Sequence, residues 1–170
     1  MSLKPNIVLV AALALSVAGC GKKEVDTLPP APGPAPIQSQ NQGSQTRIVP
    51  GSQADFSNRM AGLDTIYFDT DQFDIDDEDA VALRRQAEWL RQYPAKRARI
   101  EGYTDERGTR EYNLALGERR ATAARNYLVS LGIAENRLTV ISYGKERPAV
   151  LDSTEAAWAR NRRAVTLTID

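Results

Sequence analysis

The residues best suited to chemistry lie in one loop and the segment behind it. Gly102-Tyr103-Thr104-Asp105-Glu106-Arg107-Gly108 precedes a long helical pattern on which Asn113, Leu116 and Arg120 recur at i, i+3 and i+7. That spacing puts the three on one helical face. Each stands one position before a member of an apolar and small-residue stripe, so their face borders the buried one. Arg120 is therefore expected to be partly buried, with Asp105 among its nearest partners. Two arrangements are open to such a pair. They can form an ion pair with each other. Alternatively, held apart by a rigid scaffold, they can clasp a zwitterion, the carboxylate taking an ammonium and the guanidinium a carboxylate in bidentate fashion. A third use would make Asp105 and Glu106 the acid and base of a hydrolase. Neighbouring loop residues tend to point apart, however, and no apolar pocket that would raise one pKa is evident.

The elements that must position these residues can be read from periodicity. Thr65-Ile66-Tyr67-Phe68 is β-branched and aromatic, a strand signal, and order is expected to begin near Leu63. Asp76 and Asp77 offer caps, and Glu78 and Asp79 favour a helix start. Ala80, Leu83, Ala87 and Leu90 follow at helical spacing until Pro94 stops the run. Residues 97–102 alternate as a half-buried strand does. Leu114, Gly117, Ala121, Ala124, Leu128 and Leu131 form the stripe of the next helix, which ends at Gly132, and its small residues imply close approach to a sheet. Strands are expected again at 138–143 and 164–169, with a short helix near 154–159. The order β-α-β-α-β-(short α)-β predicts a two-layer α+β domain with its helices on one face of a mixed sheet. Trp89 and Trp158 read as packing residues.

Composition narrows the chemistry. The 170 residues hold 22 Lys plus Arg against 22 Asp plus Glu, without the basic excess that nucleic-acid binding calls for. There is no His, the commonest general base and metal ligand. The single cysteine, Cys20, leaves no disulfide within one chain and no Cys-based zinc site. The segment Asp69-Thr70-Asp71-Gln72-Phe73-Asp74 begins like a calcium loop, but it has Phe at the fifth position, Asp at the sixth and Ala80 at the twelfth. No metal or cofactor is expected, and no catalytic residue.

The first 19 residues read as an export signal: Lys4, then an apolar run from Ile7 to Ala18 that is too short to span a bilayer. Val17-Ala18-Gly19-Cys20 resembles the lipobox of bacterial lipoproteins, which implies S-diacylglycerol and an N-acyl chain on Cys20. Gly21, where retention at the inner membrane would call for Asp, favours the outer membrane by the same resemblance. Several acyl chains make such an anchor stable, at about 0.8 kcal/mol per buried methylene. Residues 20–58 are read as the lipidated cysteine and a disordered tether. Its stretch from Pro29 to Pro36 favours extended polyproline geometry, and Gln38 to Thr46 has no apolar period. Residues 59–170 are left for the globular domain, expected on the periplasmic side.

The loop and helix residues carry a family resemblance. Gly102-Tyr103-Thr104-Asp105, Asn113, Leu116 and Arg119-Arg120-Ala121, followed by Asn161-Arg162-Arg163-Ala164-Val165, resemble the OmpA-like peptidoglycan-binding domain over roughly residues 63–169. Tyr67-Phe68-Asp69, Asp105-Glu106-Arg107-Gly108-Thr109, Glu111-Tyr112-Asn113 and Ser142-Tyr143-Gly144-Lys145-Glu146 point to a lipoprotein branch of that family. The resemblance implies non-catalytic binding of the diaminopimelate unit of the peptidoglycan stem peptide, whose side chain ends in an ammonium and a carboxylate. Asp105 would hold the first and Arg120 the second. Asp71 matches a further contact position, and Thr104, Asn113 and Leu116 would line the pocket. The resemblance also implies TolB and other Tol envelope proteins as partners. An OmpA-like lipoprotein outside that system is the alternative.

Overall fold

The computed structural model describes residues 48–169; the export signal, Cys20, the proline-rich segment and the rest of the expected tether up to residue 47 lie outside them. The four strands are β1 (Thr65–Tyr67), β2 (Arg97–Tyr103), β3 (Leu138–Gly144) and β4 (Arg163–Ile169). They form one sheet in the order β1-β4-β2-β3. β4 runs antiparallel to both β1 and β2, whereas β2 and β3 are parallel, so the sheet is mixed as the element order predicts. The parallel pair is joined through α3 (Arg110–Ser130) and a 3-10 turn at Glu135–Arg137.

Alternation assigns the two faces of β2. Ala98 and Ile100 are fully buried and Gly102 lies against α3. Arg99, Glu101 and Tyr103 point to the other face, where the Arg163 guanidinium lies 3.9 Å from the Tyr103 ring centre and Tyr103 stacks on Tyr143. The approach of α3 is close because two glycines meet. A Cβ on Gly102 would stand 1.8 Å from the Gly117 carbonyl oxygen, and one on Gly117 would stand 2.4 Å from Ser142 Oγ. The small-residue stripe was legible for this physical reason, since only hydrogen at both positions lets helix backbone sit on strand backbone.

Helix α2 (Asp77–Gln92) starts where Asp76 accepts the Asp79 amide at 2.7 Å. It stops before Pro94, having buried Ala80, Leu83, Ala87 and Leu90 as their spacing predicts. Another helix precedes it, α1 (Gln53–Met60), capped by Ser52, and all but its last two residues fall within the 20–58 segment expected to be a disordered tether. Phe56 and Met60 are buried in the core, and Phe56 meets Trp89 edge to face at 5.1 Å. Ordered structure thus begins before residue 59 and before Leu63. The two anchors at i and i+4 are enough to dock a short polar helix whose own period is too sparse to announce it. The Trp89 indole donates to Asp55 Oδ2 at 3.0 Å, so α1 and α2 are joined by a buried polar contact as well. The remaining helix, α4 (Glu155–Asn161), immediately precedes β4.

Asp79 gives the fold a pH signature. It is buried at the start of α2, its Oδ1 accepts the Tyr67 amide on the edge strand at 3.2 Å, and its Oδ2 has no hydrogen-bond partner. Burial, opposed by the Tyr67 amide and reinforced by Asp76 and Glu78, pushes its pKa up from 3.8 to about 6. A pKa raised by folding favours the protonated form in the folded state, so this stabilisation is complete below pH 3.8 and is lost as pH rises through about 6. Asp79→Asn, which stays neutral, is expected to gain stability relative to the parent between pH 4 and 7, read from urea midpoints. A constant difference across that window would contradict it.

Candidate ligand-binding site

The chain brings Asp71, Thr104, Asp105, Asn113, Leu116 and Arg120 to the wall of one cavity of about 270 Å³. Thr70, Arg107, Gly108 and Tyr112 complete the lining. The cavity falls below the roughly 300–1,000 Å³ usual for drug-sized sites and suits the end of one side chain.

Arg120 forms its floor. It is 0% exposed, deeper than the partly buried position its spacing predicts. Its partners also differ from the expectation: Asp105 makes no hydrogen bond with it. Instead Nε donates to the Gln72 carbonyl at 2.9 Å, Nη1 to that of Tyr103 at 3.0 Å and Nη2 to that of Asp69 at 3.0 Å. Phe68 lies 5.2 Å from the guanidinium carbon. Burial, with repulsion from Arg162, lowers the Arg120 pKa to about 10 against the pull of Asp105 and Asp71, so it is charged at neutral pH. A guanidinium has five N–H donors. The three carbonyls are neutral, and no carboxylate among the described residues forms an ion pair with Arg120. Two of its five N–H groups thus have no partner among the described residues, and a buried cation in that state has the chemistry to take an anion.

The acidic side of the cavity is built by the loop. Asp105 is 7% exposed, and its nearest cation is Arg107, which donates through Nε to Oδ1 at 3.1 Å and through Nη2 to Oδ2 at 2.7 Å. The Arg107 amide also reaches Oδ1 at 3.1 Å, closing an Asx turn. Arg162 stands behind, with Nη1 3.5 Å from Oδ2. Burial works against the charged carboxylate, but these hydrogen bonds and charges outweigh it and hold the Asp105 pKa below the ordinary range. The Arg107 partnership was not read from sequence. An Asp followed two residues later by Arg within a turn was the available signal. Arg162 lies fifty-odd positions away in the chain and left none except its family motif.

The other residues shape and pin the loop. Asn113, 2% exposed, donates from Nδ2 to the Arg107 carbonyl at 2.7 Å and the Thr109 carbonyl at 2.9 Å. Lys145 holds the Gly108 carbonyl from the β3 side at 2.6 Å. Thr109 caps α3 through the Tyr112 amide. Thr104 is 2% exposed, and its hydroxyl has no partner. Leu116 supplies an apolar wall. Asp71 adopts the left-handed conformation, φ 57°, unusual outside glycine, and its Oδ1 accepts the Tyr112 hydroxyl at 3.0 Å. Trp158, expected only to pack, is at the site's rim, its ring 4.3 Å from the Arg107 guanidinium carbon and its indole donating to Glu106.

A helix-bearing mixed sheet with a two-pole charged cavity at its loop end defines the class, and comparison with known proteins places it. A model described as the OmpA family matches residues 67–162. The peptidoglycan-associated lipoprotein of Mesorhizobium japonicum is 46% identical over 166 residues, 97% of this chain and 93% of that one. The crystal structure of the peptidoglycan-associated lipoprotein from Burkholderia pseudomallei is 39% identical, with a TM-score of 0.65, and covers 69% of this chain and 100% of its own. The C-terminal domain of Helicobacter pylori MotB, at 21% identity and a TM-score of 0.59 over 64% of this chain and 86% of that one, shares the fold. The chain belongs to the OmpA family, among its peptidoglycan-associated lipoproteins.

Proposed function

We propose that this chain is an outer-membrane lipoprotein that ties the outer membrane to peptidoglycan, holding the wall non-covalently through the diaminopimelate unit of the stem peptide. The observation that carries the reading is the buried Arg120 guanidinium, satisfied by main-chain carbonyls and facing a cavity whose other pole is acidic. The free end of diaminopimelate offers a carboxylate to Arg120 and an ammonium to the acidic side. Thr104 Oγ1, buried without a partner, adds a hydroxyl at the same wall. Asn113 and Leu116 shape the pocket, and Asp71 flanks the ammonium position.

The reading is non-catalytic. Asp105 turns to Arg107 and Arg162, whereas exposed Glu106 turns to Trp158. Neither pKa is raised: burial of Asp105 is outweighed by Arg107, and Glu106 is lowered by hydrogen bonds from Ser153 and Trp158. A general acid working near neutrality needs the opposite shift. No metal or other cofactor enters the reading. Acyl chains on Cys20 supply the membrane anchor, the tether lets the domain reach the wall from the periplasmic face, and TolB with other Tol proteins are the expected partners in the Tol–Pal system of envelope integrity and cell division.

Three measurements test these parts. Asp105→Asn and Arg120→Leu are each expected to weaken co-sedimentation with peptidoglycan, since losing one member of a desolvated charge contact costs roughly 2–5 kcal/mol, or about 30-fold to several thousandfold. Undiminished sedimentation of both would remove this cavity from the mechanism. Cys20→Ala is expected to abolish incorporation of labelled palmitate, and continued labelling would refute the anchor. The immobilised chain is expected to capture purified TolB; its failure to do so would favour an OmpA-like lipoprotein outside that system.

A further inference from the structure

The position that the ligand's ammonium needs is already taken by a cation of the protein. Arg107 meets both oxygens of Asp105, at 3.1 and 2.7 Å, and its Nη2 also reaches Thr70 Oγ1 across the cavity at 3.3 Å. Oδ1 already accepts both the Arg107 amide and Nε, and Oδ2 accepts Nη2 with Arg162 Nη1 3.5 Å away, so a ligand ammonium gains both oxygens only by displacing this guanidinium. We propose that Arg107 is a built-in competitor that occupies the ammonium subsite of the free protein and is displaced only by a ligand bearing its own cation, so that it sets the selectivity for zwitterions. This rests on the reading of the cavity given under the proposed function.

Three features make the exchange feasible. The Arg107 side chain is 40% exposed, whereas that of Asp105 is 9% exposed, so the guanidinium can leave and the carboxylate stays. A berth is adjacent. The guanidinium carbon already lies 4.3 Å from the Trp158 ring centre, and Nη1 lies 4.0 Å from Glu155 Oε2, an exposed carboxylate. Arg162 Nη1, 3.5 Å from Asp105 Oδ2, has no hydrogen-bond partner of its own and keeps the carboxylate beside a positive charge throughout the exchange. At no point is a buried carboxylate left without a cation, which would be strongly unfavourable.

The exchange predicts how ligands are discriminated. A ligand with a carboxylate alone reaches Arg120 but leaves Arg107 in place. A ligand with both charges gains the Asp105 contact less the contact Arg107 gives up. Removing Arg107 should therefore help the zwitterion and not the carboxylate-only ligand.

The test titrates the full-length chain and its Arg107→Ala variant with two tripeptides, one ending in meso-diaminopimelate and one in 2-aminopimelate, which keeps the distal carboxylate and lacks the distal ammonium. The variant is expected to bind the diaminopimelate peptide about two- to fivefold more tightly, the scale of a partly exposed ion pair, and the 2-aminopimelate peptide no more tightly than the parent does. Equal or weaker binding of the diaminopimelate peptide by the variant would overturn the competitor role. A second measurement needs no substitution: the Arg107 Nε–H resonance of the parent should shift on saturation with the diaminopimelate peptide and hold its place with the other. An unmoved resonance at saturation would equally overturn it. The underlying cavity reading fails separately, if Asp105→Asn and Arg120→Leu bind the diaminopimelate peptide as the parent does.

Discussion

The buried guanidinium of Arg120 is the contact on which the rest of the domain's functional end depends. Its three donors end on the carbonyls of Asp69, Gln72 and Tyr103, which belong to the loop after β1 and to the end of β2. A single side chain on α3 thus stitches two other segments together at full burial. Leaving such a cation unsatisfied would cost several kcal/mol, so the loop is held to the geometry that satisfies it. Lysine could not substitute, because a point charge on a flexible stem cannot address three separated carbonyls in one plane as a guanidinium can. The site and the fold are therefore one construction: the group that faces the cavity also shapes the cavity's walls.

That construction requires α3 to lie very close to the sheet. The Gly102–Gly117 contact removes the side-chain layer that would otherwise hold helix and strand apart. With α3 lowered, Asn113 reaches back to the loop carbonyls of Arg107 and Thr109, and Ser142 Oγ on β3 donates to the Leu114 carbonyl at 2.7 Å. The loop between β2 and α3 is pinned on both flanks, by Asn113 from the helix and by Lys145 from beyond β3. Its charged side chains consequently project from a fixed backbone, which limits the entropy lost on gripping a ligand.

Sequence periodicity carried most of this architecture. The stripes of α2 and α3 and the alternation in β2 gave the layers, and the i, i+3, i+7 relation gave a shared face for Asn113, Leu116 and Arg120, all buried and all at the cavity. Legibility ended where the cause was tertiary. Two anchors, Phe56 and Met60, dock α1, and their value depends on Trp89, a contact across more than thirty residues that no local window contains. The partners of Arg120 were invisible for a related reason: main-chain carbonyls carry no residue identity, so residue types alone offer Asp105 as its counter-ion. Asp105 in turn found Arg107, two positions along, because turn geometry brings that amide and side chain to the same oxygens.

Charge balance gives the cavity its character. Its ionised lining consists of two carboxylates, Asp71 and Asp105, and two guanidinium groups, Arg107 and Arg120, so it is formally neutral yet separated into poles. A monoanion or a monocation entering would leave net charge in a partly desolvated space, where Coulomb terms are several times stronger than in water. A zwitterion leaves the sum unchanged while matching each pole. The two poles differ in kind, however. Arg120 is locked by the fold with no carboxylate against it, whereas the carboxylates are engaged by more exposed side chains, Asp105 by Arg107 and Asp71 by the half-exposed Tyr112. On the proposed reading, the anionic end of a ligand would meet a guanidinium fixed by the fold, and its cationic end a carboxylate that Arg107 must first release. On that reading the carboxylate contact would supply the grip and the ammonium contact the choice, a division that would suit a reversible link to one chemical group.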